Sequence, residues 1–233
     1  MDNAARTRQR VLALFLPIAA VLYISAEALS PKGTDQVITT TATALKVLPI
    51  AAKHPTQLYA AGSLAILALG ALAVSYAAIA TLARNRGSAV ATVAALIGGI
   101  GAFCGAIVNV LVYPNLAAAA TAHLSAGAAA RFLVTTFNSG FGHGFSYAYF
   151  VGIFAAPALM GYALWRSRSV PRWLAVLFFA GLEVAQQQIS SGPVVILYML
   201  PFAAAMVLLA ARDLAGGRSA RRPATAGAGP RIR

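Results

Sequence analysis

Acidic residues are nearly missing from this chain: five Asp and Glu stand against eighteen Lys and Arg in 233 residues, and only 10% of residues are charged. A soluble domain carries about 25% charged residues. A water-facing globular surface is therefore excluded, and with 60% hydrophobic residues the excess apolar surface must face lipid. Cys104 is the only cysteine. That excludes an intramolecular disulfide, a CxxC redox pair and a multi-cysteine metal site. Set among glycines in an apolar run, Cys104 reads as a small packing residue. The three histidines, His54, His123 and His143, show no HxxxH or HxxE spacing. No metal site is expected from them, and no cofactor.

The net charge of +13 raises nucleic acid as a partner. Its distribution argues against that partner. No Lys or Arg lies inside an apolar run; they cluster at the run ends, and no basic helix or folded polar domain is left to hold a nucleic acid.

What is present is a series of long apolar runs. A helix needs about 20 apolar residues to cross a bilayer, and six runs qualify, at about 11–29, 58–83, 90–112, 142–165, 173–191 and 194–211. The expectation is an all-α polytopic transmembrane bundle of six spans within residues 1–212, followed by a disordered basic tail over 213–233. Pro31, Arg84 to Gly87, Pro114, Arg166 to Arg168 and the Gly192-Pro193 turn separate the spans. The basic N-terminus before an apolar run also describes a signal peptide. The run 11–29 is long for a signal core, and no A-x-A site precedes Pro31, so it reads as a retained first span.

Six alternating spans place fourteen of the eighteen Lys and Arg on one side, leaving Lys32, Lys46, Lys53 and Arg131 on the other. The positive-inside rule then puts both termini in the cytoplasm of an inner (plasma) membrane protein. Two long outside connections, 30–57 and 113–141, carry little charge. The Thr-rich stretch with Leu45, Val47, Leu48 and Ile50, and the alanine-rich 116–130, are expected to cap the outer face, either as surface helices or as re-entrant segments. No internal repeat is visible, which weakens an inverted-repeat transporter reading.

Polar residues inside spans are costly and usually functional. Glu183 lies about ten residues into its span, roughly 15 Å deep and near the midplane. Gln187 is one turn further along the same face and Gln186 flanks it. Glu183 is read as a proton donor, a ligand anchor or an ion site, the alternative being a protonated structural acid bonded to Gln187 or to a carbonyl on a neighbouring helix. Glu27 ends the first span with Tyr23 one turn below, and reads either as a second acid or as a solvated helix end. His143 stands among Gly140, Gly142 and Gly144, which favour an unwound segment lining a cavity, with Tyr147 one turn below. Asn109 is expected to face the bundle, while Gly101-x-x-x-Gly105 suits close helix packing and a homo-oligomeric or membrane partner through the third span. Glu183, His143 and Glu27 are the catalytic candidates; Gln187, Tyr147, Asn109, Tyr23 and Gln186 are the ligand-binding ones. Most fall in the outer half, with an apolar inner half below, and so describe an outward-open pocket floored near the midplane.

His54-Pro55-Thr56-Gln57-Leu58, an Ala/Leu-rich span and then Arg84-Asn85-Arg86-Gly87 resemble a pattern in uncharacterised bacterial multi-span membrane proteins of domain-of-unknown-function type. The likeness covers about the first half of the chain and implies a helical bundle without an established activity. In size, and in the pair Glu27 and Glu183, the chain is also similar to small integral-membrane terpene cyclases, with one span fewer than is usual there. That analogy implies an acid that protonates a prenyl substrate. The leading expectation is a membrane-embedded acid–base enzyme, of cyclase or isomerase type, or a binder for a lipophilic small molecule. A proton-coupled transporter and a non-catalytic complex subunit are the alternatives.

Overall fold

The computed structural model describes residues 3–34, 38–83, 87–186 and 194–219. All regular structure among them is helical. The eight helices are α1 (Asn3–Leu29), α2 (Thr41–Lys53), α3 (Pro55–Leu82), α4 (Ser88–Thr121), α5 (Ala126–Phe137), α6 (Gly140–Ser167), α7 (Arg172–Gln186) and α8 (Val195–Ser219).

Among the described residues, five stretches are long and apolar enough to cross a membrane: Thr7–Leu29, Pro55–Leu82, Ser88–Thr121, Gly140–Ser167 and Val195–Leu214. They correspond to five of the six expected spans. The remaining span, 173–191, is described only as the 15 residues of α7, and its outer end, with Gln187, lies outside the described residues. The protein is an all-helical, multi-pass membrane protein.

The five long helices and α7 close a ring in which α1 packs on α3, α3 on α4, α4 on α6, α6 on α7, α7 on α8 and α8 back on α1. Small residues allow this closeness. A Cβ built on Gly101 of α4 would stand 2.5 Å from the Cα of Gly152 on α6, so the two backbones touch where Gly101-x-x-x-Gly105 was expected to pack. Leu96, Ile100 and Phe103 on α4, and Leu14, Ile18 and Val21 on α1, remain exposed on the lipid side. The inner core collects Leu16, Leu69, Ile79, Met160, Phe178 and Phe202.

The third span does not stop at Pro114. α4 continues through it for 34 residues to Thr121, roughly 50 Å against a hydrocarbon thickness of about 30 Å. Proline removes one backbone bond, but the alanines after it are the strongest helix formers, and Leu116, Ala117 and Ala119 gain burial. The projecting end of α4 meets α2 and α5 in a second apolar core of Val47, Leu48, Leu58, Tyr113, Leu116 and Leu133, among others. Thr40 caps α2 by accepting the Thr43 N–H at 3.2 Å, and Ser125 caps α5 by accepting the Ala128 N–H at 3.3 Å. The described part of 37–52, from residue 38 on, and the segment 116–130 thus contribute to a helical cap over one end of the ring.

The glycines around His143 are not unwound. Ser139 accepts the Gly142 N–H at 3.0 Å, and α6 is continuous from Gly140. Gly142 is needed because its Cα packs under the carbonyl of Phe137, where a side chain has no room. At the other end of the chain, α8 runs past Arg212 to Ser219, so the first part of the expected tail is helical.

Candidate functional site

α1 and α6 are not adjacent in the ring, yet Tyr23 of α1 and Tyr149 of α6 lie within electrostatic range of each other across it. Both are buried, at 5% and 8% exposure. The sequence places Tyr23 one turn before Glu27, and Glu27, 8% exposed, lies within electrostatic range of both tyrosines. Phe202 of α8 fixes the Tyr23 ring edge-on at 6.2 Å. Tyr149 lies over Gly105 of α4, where a Cβ would stand 2.5 Å from its ring. Each ring therefore has one position available to it.

The cluster extends in two directions. Toward the cap, Ser30 meets Thr34 at 3.3 Å and the Tyr113 hydroxyl at 3.4 Å, while Thr34 donates to the Pro31 carbonyl at 2.6 Å. All three side chains are buried, and Tyr113 belongs to the cap core. In the opposite direction Tyr76 of α3, 2% exposed, lies within electrostatic range of both Tyr149 and Glu183. Tyr76 is six residues from the end of α3 at Leu82, so it sits in the half expected to be almost wholly apolar. Ser75 beside it is buried and donates to the Ala71 carbonyl at 2.8 Å. A series of polar groups thus runs from Glu27 through Tyr23 and Tyr149 to Tyr76 and Glu183.

Glu183 itself is only partly buried. The buried stripe of α7 is Leu174, Phe178, Leu182 and Ala185, and Glu183 lies away from it, above the half-exposed Phe179 and Val176. Asn109 is half-buried and donates to the Gly105 carbonyl of its own helix at 2.9 Å. His143 and Tyr147 are not in the cluster. They stack on each other at 6.2 Å on the exposed face of α6, Tyr147 at 68% exposure, and His143 Nδ1 bonds the Asn138 carbonyl at 3.1 Å. Gln186 closes the described part of α7, its side chain outside the description, and Gln187 lies outside the described residues altogether.

The structure therefore unites Tyr23 and Glu27, links Glu183 to them through Tyr76, and separates His143 and Tyr147. Tyr76 and Tyr149 are additions to the residues singled out by sequence. Their signal is a phenol in an otherwise apolar span, which must find a hydrogen-bonding partner when buried. Asp213 is a further addition: it is buried at the basic end of α8 and accepts a hydrogen bond from the Gln9 side chain of α1. Among the described residues, no group of three or more His, Cys, Asp or Glu is placed to hold a metal.

A ring of long apolar helices around a buried acid–tyrosine cluster defines a polytopic integral membrane protein with a polar interior. Its residues 11–211 match the family described as domain of unknown function DUF4386, and the chain belongs to that family. Comparison with curated proteins and with solved structures gives no match.

Proposed function

We propose that this membrane protein binds a lipophilic small molecule inside its ring, with the polar end of that molecule held by Glu27, Tyr23 and Tyr149. The observation carrying this reading is the burial of two phenols and a carboxyl together, Tyr23, Tyr149 and Glu27, in an otherwise apolar ring. In a low-dielectric interior a hydrogen bond to such groups is strong and an unpaired one is costly. The cluster therefore favours a ligand that combines one polar group with an apolar body. Glu183, reached through Tyr76, is the second acid; in an enzymatic form of the reading it donates the proton to an alkene or carbonyl. Six spans, with both termini in the cytoplasm of the inner membrane, complete the reading.

Purification in mild detergent followed by native mass spectrometry tests it. The wild-type protein is expected to carry a lipophilic adduct that Glu27→Gln and Tyr149→Phe lose while remaining folded and monodisperse in detergent. Undiminished adduct in both variants would remove the cluster from the site.

A second reading, proton-coupled transport, is favoured by Tyr76, which continues the polar series into the inner half. Its mark would be a flux into liposomes that follows a pH gradient and disappears in Glu183→Ala.

A further inference from the structure

A groove of about 330 Å³ opens between α6 and α7, away from the buried cluster. Gly161, Ala158 and Ala175 make its floor low, and Tyr162, Trp165 and Phe179 wall it. It lies toward the end where α6 finishes at Ser167 and α7 starts at Arg172. Two guanidinium groups are held against its aromatic walls. Arg166 Nη1 donates to the Tyr162 hydroxyl at 3.0 Å, and the Arg172 guanidinium carbon stands 5.1 Å from the centre of the Trp165 ring. A third arginine, Arg212 of α8, donates to the Ser169 carbonyl at 2.9 Å in the turn joining the two helices.

Among the described residues, no acidic side chain stands against these three arginines. Of the five acidic residues in the chain, Asp2 and Asp35 lie outside the described residues and Glu27 is at the opposite end of the bundle. Glu183 is eleven residues beyond Arg172 on α7, about 16 Å along the helix. Asp213 is buried and bonded to Gln9. The arginines are thus positioned by neutral groups, a hydroxyl, a π-face and a carbonyl. Each of these orients a guanidinium without neutralising it.

An apolar trough whose mouth carries oriented, uncompensated guanidinium groups at headgroup level complements one kind of bilayer molecule. We propose that the α6–α7 groove binds an anionic phospholipid, its acyl chain along Ala158, Gly161 and Val176 and its phosphate between Arg166 and Arg172. Phosphate suits the planar guanidinium fork better than an ammonium would, and basic pockets between spans on the cytoplasmic side are where anionic headgroups collect. This site is independent of the ligand proposed for the ring interior.

The test uses the full chain in nanodiscs of equal phosphatidylglycerol and phosphatidylcholine, with retained lipid counted by native mass spectrometry after release. Wild type is expected to retain phosphatidylglycerol over phosphatidylcholine. Arg166→Gln with Arg172→Gln is expected to lower that preference by about fivefold per arginine, and Ala158→Trp, which fills the trough and leaves both arginines, is expected to lower it as well. Arg8→Gln with Arg10→Gln, at the N-terminal start of α1, should leave it unchanged. No preference in wild type, or an equal fall in the Arg8/Arg10 variant, would overturn the proposal in favour of diffuse attraction to the basic end. Full preference in Ala158→Trp would also overturn it, because the chain would then lie elsewhere. Inorganic phosphate at millimolar concentration is expected not to displace the lipid; displacement would mean that the arginines bind the anion without the trough.

Discussion

Gly101 and Gly152 bring the backbones of α4 and α6 into contact: a Cβ on Gly101 would lie 2.5 Å from the Gly152 Cα. Backbone cannot swing aside as a side-chain tip can, so the helices must separate to admit even a methyl group. Gly101→Val is expected to cost about 1–3 kcal/mol, the usual range for overpacking, and to lower the melting temperature in detergent. Gly99→Ala, two residues away with nothing within 4 Å of its added Cβ, should stay within about 0.5 kcal/mol of wild type. Equal effects at the two positions would mean that helix propensity, and not the crossing, governs the response.

The cap has its own core, and Leu116 is wholly buried in it. Leu116→Ala is expected to cost about 2–5 kcal/mol, and the loss should be local because the ring core contains other side chains. Hydrogen exchange read by mass spectrometry should speed up in α2 and α5 and remain slow in the ring portions of α3 and α6. Uniform acceleration throughout the chain would show that cap and ring unfold as one unit.

These two cores explain which parts of the molecule were legible in advance. Length and apolarity mark the spans well, because a bilayer demands both. They say little about which face of a span is buried, because lipid and core are equally apolar: Phe103 is exposed and Phe178 buried, though both lie in uninterrupted apolar runs. Polarity was the remaining guide to the inside. It holds for Tyr23 and Glu27. It does not hold for His143 and Tyr147, which stand on the exposed face at the start of α6, where amphipathic rings are tolerated at a span end. Pro114 was misleading as a stop because burial of the following Leu116 and Ala117 outweighs one lost backbone bond. Tyr76 and Tyr149 were passed over because a phenol does not count as polar on a hydropathy scale, although its hydroxyl must be satisfied when buried.

The exposure of the His143–Tyr147 pair has a direct consequence. Neither ring touches the acid–tyrosine cluster, and their partners are each other and the Asn138 carbonyl. His143→Ala and Tyr147→Phe are expected to change stability by less than about 0.5 kcal/mol and to leave the adduct seen by native mass spectrometry in place. Loss of the adduct in His143→Ala would place the ligand at the surface of α6 and would contradict the assignment to the ring interior.

Tyr23 and Tyr149 supply the most specific energetic test. The two phenols interact across the ring between helices that share little direct packing, so removing either hydroxyl removes the same interaction. Tyr23→Phe and Tyr149→Phe each leave the ring packing intact, against Phe202 for Tyr23 and over Gly105 for Tyr149. The double variant should then be less destabilised than the sum of the two. The coupling should be about 0.6–1.7 kcal/mol, the span found for side-chain hydrogen bonds between membrane helices. The measurement is a double-mutant cycle on unfolding in mixed detergent, with Tyr147→Phe combined with Tyr23→Phe as the control pair. Strict additivity for Tyr23 and Tyr149 would mean that each hydroxyl finds its main partner elsewhere, Glu27 being the nearest acid. The Glu27→Gln variant would then carry the coupling.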